Sequence, residues 1–291
     1  MLNHECGTDF VKMSHTAPAG FEDVPVNERC AVSDGYAGRL VYFYKKEDGQ
    51  IELLDGDKIA LLITKFYKEH ISSLGLQDDC TFACVQTAYA NSNSTRYLKK
   101  ELDITPICVP TGAKHLRREA AKYDCDIYFE ANGHETVTYS TRFYELLERL
   151  DSEESIRLRA MSRLINKIVG DAMANLLAVE LILRHYDWSV QEWAAMYENT
   201  PNKQIKITVF DRAAFITTND EQKLLQPESL QVLIDEAVTR RGEKARAFLR
   251  PSGTENIVRV YAEAASQADA DLLAAEIERA TDYYKDVDSD S

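Results

Sequence analysis

The sequence predicts an α/β fold that closes with an α+β unit, and three observations carry the prediction. Between residues 81 and 129, short apolar runs alternate with helical patterns as strand, helix, strand, helix, strand, the order of parallel βαβ units. Ahead of them, residues 39–54 alternate as two strands about an Asp48-Gly49 turn. After a polar boundary at Asn199-Thr-Pro-Asn202, strands and helices recur over roughly 90 residues, with spacing that suits an antiparallel sheet with helices on one face.

The elements follow in order. Residues 1–28 are punctuated by Pro18, Gly20, Pro25 and Asn27 and read as loop or linker. Leu40, Tyr42 and Tyr44 alternate with Val41 and Phe43, and Ile51, Leu53 and Leu54 form the return strand. Asp57 is the expected N-cap of a helix whose Ile59, Leu62, Ile63 and Phe66 recur at helical spacing, and Gly75 stops it. Strands are expected at 81–87, Ile107–Val109 and Ile127–Phe129, with helices through Tyr97-Leu98 and over 113–122. Long helical segments cover 141–150 and 155–184. Beyond Trp188 and Trp193 come a strand (205–210), a helix (228–240), strands at 245–249 and 257–262, and a closing helix burying Leu273, Ile277 and Ala280. The tail Asp286 to Ser291 is acidic and expected to fray.

Composition narrows the function classes. The 291 residues carry 34 Lys+Arg against 48 Asp+Glu, a net charge of −14, with 45% apolar residues. That balance suits a folded protein of two domains. It argues against nucleic acid or an anionic membrane as main partner, because phosphate backbones demand a basic face. No apolar run approaches the ~18 residues of a membrane span, and the start reads as no signal peptide. Of six cysteines, Cys84, Cys108 and Cys125 sit in or beside strand-like runs; free thiols in a reducing, cytoplasmic compartment are expected. Cys80 and Cys84 lack a second ligand pair for zinc.

Four loops could carry chemistry. Arg250-Pro251-Ser252-Gly253-Thr254-Glu255-Asn256 lies between two strands. Its hydroxyls, glycine-turn amides and Arg suit a phosphate dianion, with Arg259 further on as a second fork; a plain polar β-turn would look the same. Glu130-Ala131-Asn132-Gly133-His134 follows a strand, where α/β sheets place ligands. Its Glu and Asn suit vicinal sugar hydroxyls, and His134 is a donor or base, although exposed polar turns share this composition. Thr111-Gly112-Ala113-Lys114-His115 enters a helix, which favours an anion, or is simply a helix start with a solvated Lys. Asp34-Gly35-Tyr36-Ala37-Gly38-Arg39 offers one carboxylate where a hard metal needs several.

Together these motifs resemble those of the phosphoacetylglucosamine mutases of the α-phosphohexomutase superfamily. The resemblance runs from Leu2-Asn-His-Glu-Cys-Gly-Thr-Asp-Phe-Val-Lys12 through Leu54-Asp-Gly-Asp-Lys-Ile-Ala60 and Val85-Gln-Thr-Ala-Tyr-Ala-Asn91. It continues through Thr111-Gly-Ala-Lys-His115 and Phe129-Glu-Ala-Asn-Gly-His134 to Arg250-Pro-Ser-Gly-Thr-Glu255 and Val258-Arg-Val-Tyr-Ala-Glu263. The resemblance implies a partial α-phosphohexomutase: a domain-2 remnant at 1–54, an α/β sugar-binding domain 3 at 55–185 and an α+β phosphate-binding domain 4 at 186–291. It implies an isomerase, an intramolecular phosphotransferase interconverting N-acetylglucosamine 6- and 1-phosphates on the way to UDP-N-acetylglucosamine. Glu130, Ala131 and Asn132 would contact the sugar, with Lys114 and His134 nearby. Arg250, Pro251, Ser252, Gly253, Thr254 and Arg259 would bind the non-reacting phosphate.

The chain departs from the family in two ways. It starts where the family is already in its second domain, so the phosphoserine domain is expected to be absent. Ser14-His15-Thr16-Ala17-Pro18 is superficially like the Ser-His-Asn-Pro nucleophile motif, but it lies about 20 residues before the metal loop and is read as a coincidence. The family holds Mg²⁺ with three Asp in an Asp-Gly-Asp-Ala-Asp-Arg motif; Tyr36 and Gly38 replace two of them, leaving Asp34. Mg²⁺ binds poorly to a lone carboxylate, so the cofactor is doubtful here. The expected behaviour is a mutase-like chain, catalytically impaired alone, with the full-length mutase or its N-terminal domain in trans as a partner. The alternatives are a non-catalytic phosphosugar-binding paralogue or regulatory partner of the full-length mutase, and a degenerate product with an exposed sheet edge.

Overall fold

The computed structural model describes residues 4–286, and most of the acidic tail lies outside them. Two compact units result: Met1–Ile107 with Gly112–Glu198, and Cys108–Thr111 with Asn199–Ser291.

The first unit opens with α1 (Thr8–Ser14), in a stretch the sequence reads as loop. Its sequence is short and polar, and its stability comes from Val11, fully buried in a small core with Cys30, Val41, Phe43 and Leu53. Strands β1 (Cys30–Ser33), β2 (Leu40–Lys45) and β3 (Ile51–Leu54) form an antiparallel sheet in that order. The hairpin turns at Gly49 (φ 81), as the Asp-Gly pair predicts.

Helix α2 (Gly56–Ser73) is capped by Asp55, not Asp57: the Asp55 carboxylate accepts from the Asp57 amide. Asp57 instead accepts from the Asn91 amide at 2.6 Å. Next come β4 (Phe82–Thr87), α3 (Ser92–Lys100), β5 (Ile107–Val109), α4 (Ala113–Ala120), β6 (Cys125–Glu130) and β7 (His134–Tyr139). The sheet order is β5-β4-β6-β7. β4 and β6 are parallel, as the βαβ pattern requires, whereas β7 returns antiparallel to β6.

Helices α5 (Thr141–Glu148), α6 (Glu153–Leu164), α7 (Ala172–Tyr186) and α8 (Val190–Ala194) complete the unit. The continuous helical segment expected over 155–184 is two helices. The Asn166 side chain accepts from the Ile168 and Val169 amides, closing a local turn that competes with the helix, and Asp171 caps the restart. One core buries Leu40, Tyr42 and Leu54 of the small sheet with α2, β6, β7 and Trp193.

In the second unit, β8 (Asn202–Thr208) and a short ladder of β9 (Ile216–Thr217) and β10 (Leu224–Gln226) precede α9 (Glu228–Thr239). Strands β11 (Arg246–Pro251) and β12 (Ile257–Glu263) and helix α10 (Gln267–Thr281) follow. The sheet β11-β12-β8 is antiparallel throughout. Leu249, Val258, Val260, Ala262 and Ile207 face Leu230 and Ile234 of α9 and Leu273 and Ile277 of α10. Both helices therefore cover one face, as the sequence predicts, and alternate residues point to the other.

Asp126, in the middle of β6, is wholly buried, and neither carboxylate oxygen has a hydrogen-bond partner. Burial, with Glu119 adding repulsion, pushes its carboxyl well above the usual range, so folding favours its protonated form. Burial does the same to Glu135, which accepts from Asn175. A raised carboxyl stabilises the fold below its unfolded value, and that contribution is lost as pH rises toward the folded one. Asp126→Asn is therefore expected to gain stability relative to wild type between pH 5 and pH 8, by about 1 kcal/mol or more, in urea unfolding across that range. Glu135 leaves a residual slope of the same sign.

Candidate functional site

In the second unit, register creates a site that motif spacing alone does not show. Arg250 on β11 lies directly opposite Arg259 on β12, and Arg259 directly opposite Lys206 on β8. All three alternate with core residues, so they share the sheet face turned away from α9 and α10. Like charges directly opposite one another destabilise a sheet unless something neutralises them. Lys206 is exposed and Arg259 half-buried, so an anion can reach the row.

The turn after Arg250 stands at the end of that row. Arg250 Nη1 donates to the Pro251 carbonyl at 3.1 Å. The Ser252 amide donates to Ile257 O at 2.9 Å, Arg212 Nη1 fixes Ser252 O at 3.0 Å, and the Thr254 amide reaches Ser252 Oγ at 3.4 Å. Ser252 is buried, while Gly253 and Thr254 are exposed. Open space surrounds the place where a Gly253 Cβ would stand, so a ligand can approach the backbone closely. Of the predicted phosphate residues, Arg250 through Thr254 and Arg259 thus lie together. Lys206 was not foreseen, because cross-strand partnership across β12 leaves no local mark in the sequence.

In the first unit, the Glu130–His134 loop is the turn of the β6–β7 hairpin. The Gly133 amide donates to Glu130 O at 3.0 Å, and the His134 amide to Asn132 Oδ1 at 3.0 Å. The loop is pinned from below, because the Leu40 amide of β2 donates to Gly133 O at 2.9 Å. Gly56, at the start of α2, lies so close that a Cβ there would collide with Glu130 O. Ala131 is buried, while Glu130, Asn132 and His134 are half-buried. The His134 ring packs beside Gly170 and tilts over Tyr128 at 6.4 Å. Lys114 is exposed on the first turn of α4, after a Gly112 N-cap that offers no side-chain bond.

The loop at 34–39 also belongs to this unit. Asp34 Oδ1 accepts from the Gly38 and Arg39 amides at 2.8 and 3.1 Å, and Oδ2 from Arg39 Nε at 3.1 Å. Burial alone would raise its carboxyl, but these hydrogen bonds win and hold it below the usual carboxylate range. Tyr36 is 96% exposed and Gly38 contributes no side chain. Among the described residues, no three His, Cys, Asp or Glu side chains gather as a metal would need. This donor set is one carboxylate already engaged by an arginine, and it does not fit Mg²⁺. Ser14 ends α1 with its hydroxyl donating to Phe10 O at 2.7 Å and 2.6 Å from Thr16 Oγ1, a local cap rather than an activated nucleophile.

Comparison with known proteins adds the family. Residues 55–188 match the family model of phosphoacetylglucosamine mutase AMG1, domain III, and residues 215–280 that of the phosphoglucomutase/phosphomannomutase C-terminal domain. The chain is 43% identical over 283 residues to phosphoacetylglucosamine mutase of Sus scrofa, covering 95% of this chain and 52% of that protein. It is 45% identical over 294 residues to the Arabidopsis thaliana enzyme of that name, covering 94% and 52%. Among solved structures it resembles Aspergillus fumigatus N-acetylphosphoglucosamine mutase in complex with GlcNAc-6P and magnesium. There the TM-score is 0.90 and the identity 41%, with coverage of 96% of this chain and 57% of that one. The chain therefore spans about half the length of the curated relatives it matches. On these matches, the chain belongs to the phosphoacetylglucosamine mutase family of the α-phosphohexomutase superfamily.

Proposed function

We propose that these residues bind an N-acetylhexosamine phosphate and do not isomerise it unaided. The observation that carries the proposal is the row Arg250, Arg259 and Lys206 beside the Ser252–Thr254 turn. A phosphate dianion neutralises those like charges and takes the charge-assisted donors of the arginines. By the family resemblance, Glu130, Ala131 and Asn132 read the sugar, with Lys114 and His134 as the further sugar-side residues. In domain terms, the resemblance implies a domain-2 remnant at 1–54, the sugar-binding domain 3 at 55–185 and the phosphate-binding domain 4 at 186–291, but α8 and Trp193 pack in the first core and the second unit begins at Asn199.

The chemistry stops at binding because of residues in hand. Asp34 is engaged by Arg39 and has Tyr36 and Gly38 where the family has carboxylates. Mg²⁺ would supply charge stabilisation to phosphoryl transfer, and this loop does not hold it. Binding that is equal in ground and transition states does not accelerate a reaction. A second reading is favoured by the relatives, which are named as mutases. In it, a full-length mutase or its N-terminal domain acts as a partner in trans, and the site supports the interconversion of N-acetylglucosamine 6- and 1-phosphates. No helix of the described residues is long and apolar enough to cross a membrane, and all six cysteines are free, which supports a cytoplasmic setting.

Calorimetric titration of N-acetylglucosamine 6-phosphate tests the binding reading, and an absence of heat and of thermal stabilisation would end it. In the same titration, Lys206→Gln is expected to weaken binding about threefold and to flatten its dependence on salt. The loss is modest because Lys206 is exposed and screened.

A further inference from the structure

Within the second unit, a carboxylate already faces the arginine of the turn. Glu221 sits in the loop between β9 and β10, its backbone in the left-handed region at φ 58 and its amide donating to Thr218 O at 2.9 Å. Its Oε2 accepts from the Thr111 amide at 3.0 Å and from Thr111 Oγ1 at 2.5 Å. The same oxygen stands 3.6 Å from Arg250 Nε. Both side chains are largely buried, Glu221 15% and Arg250 12% exposed. None of the motifs legible in the sequence includes Glu221.

The geometry separates two roles for this carboxylate. Toward Thr111 it is a hydrogen-bond acceptor. Toward Arg250 it is a charge, since 3.6 Å is beyond hydrogen-bonding distance. Two short bonds from Thr111 keep it from swinging aside when an anion arrives. A phosphate gripped by Arg250 then lies within a few ångströms of a fixed negative charge, in a setting where water screens little. Lys206 closes the opposite end of the row, so the row runs from an anion through two arginines to a lysine.

We propose that Glu221 is an affinity-setting residue of the phosphate site: a built-in anion that lowers the affinity of Arg250 for phosphate and keeps the hold on the dianion reversible. The inference rests on the phosphate reading above. Glu221 is not a catalytic residue, because it acts through Arg250.

The test separates charge from anchoring. Glu221→Gln keeps an oxygen to accept from Thr111 while removing the charge. Titrated at pH 8 and low salt with inorganic phosphate, and separately with N-acetylglucosamine 6-phosphate, it is expected to bind about tenfold more tightly than wild type. The gain should shrink as salt rises. Glu221→Asp keeps the charge and is expected to show no gain. If wild type binds and Glu221→Gln binds equally or more weakly, the carboxylate is an anchor or a bystander, and this inference falls alone. If Glu221→Asp tightens binding as much as Glu221→Gln, loosening of the loop explains both and the inference again falls. If neither wild type nor Glu221→Gln binds either ligand, the phosphate reading fails and takes the inference with it.

Discussion

Arg250→Ala is expected to weaken binding of N-acetylglucosamine 6-phosphate by roughly 100-fold, about 3 kcal/mol, in a chain that still folds but melts at a lower temperature, because the buried Glu221 carboxylate loses its partner. The size of the effect has two sources. The variant loses a forked, charge-assisted donor to the phosphate. It also leaves the Glu221 carboxylate facing the ligand without the guanidinium that stands 3.6 Å from it. The chain should still fold, because Arg250 points away from the core that Leu249, Val258 and Val260 share with α9 and α10. Arg250→Lys should recover part of the affinity, since an ammonium restores the charge but not the fork. Calorimetric titration reads the affinity, and a scanning melt checks the fold. A loss no larger than that of Lys206→Gln would place the phosphate elsewhere.

Gly133→Ala is expected to destabilise the first unit by about 3 kcal/mol or more in urea unfolding. Gly133 has φ 92, and a Cβ there would overlap the Leu40 carbonyl oxygen and stand 2.8 Å from the Leu40 carbonyl carbon. Those atoms belong to the backbone of β2, which cannot step aside without breaking the Leu40–Gly133 hydrogen bond and the hairpin register. Gly49→Ala is the matched control. It has φ 81 but nothing within 4 Å of its Cβ, so it should show only the backbone strain, about 1 kcal/mol. The difference between the two measures how tightly β2 and the 130s loop are fitted. Equal effects would mean that the loop is not held against β2.

What the sequence made legible follows from which signals are local. The 39–54 hairpin announced itself through period-two alternation and an Asp-Gly turn, and β4 and β6 through apolar runs between helical patterns. The strand β7 hid because its buried positions include Glu135, a residue that reads as surface until Asn175 is seen donating to it. Helix α1 hid because its stability lies in Val11 meeting Phe43 and Leu53, contacts some 30 to 40 residues away along the chain. The break between α6 and α7 was readable in principle from Asn166 and Gly170-Asp171, but the helical periodicity on either side masked it.

The site divides in the same way. Arg250 through Thr254 and the 130s loop stand out in the sequence as candidates because their residues are adjacent in the chain. Lys206 and Glu221 do not stand out, because one lies opposite Arg259 only by cross-strand register and the other meets Arg250 only by a loop contact more than twenty residues away in the chain.

One spectrum tests the central claim most directly. ³¹P NMR of the purified chain with N-acetylglucosamine 6-phosphate and excess Mg²⁺ observes grip and turnover together. The 6-phosphate resonance is expected to shift or broaden as protein is added, with no 1-phosphate resonance emerging over hours. A growing 1-phosphate signal would contradict the account on catalysis, and a sharp, unmoved 6-phosphate line would contradict it on binding.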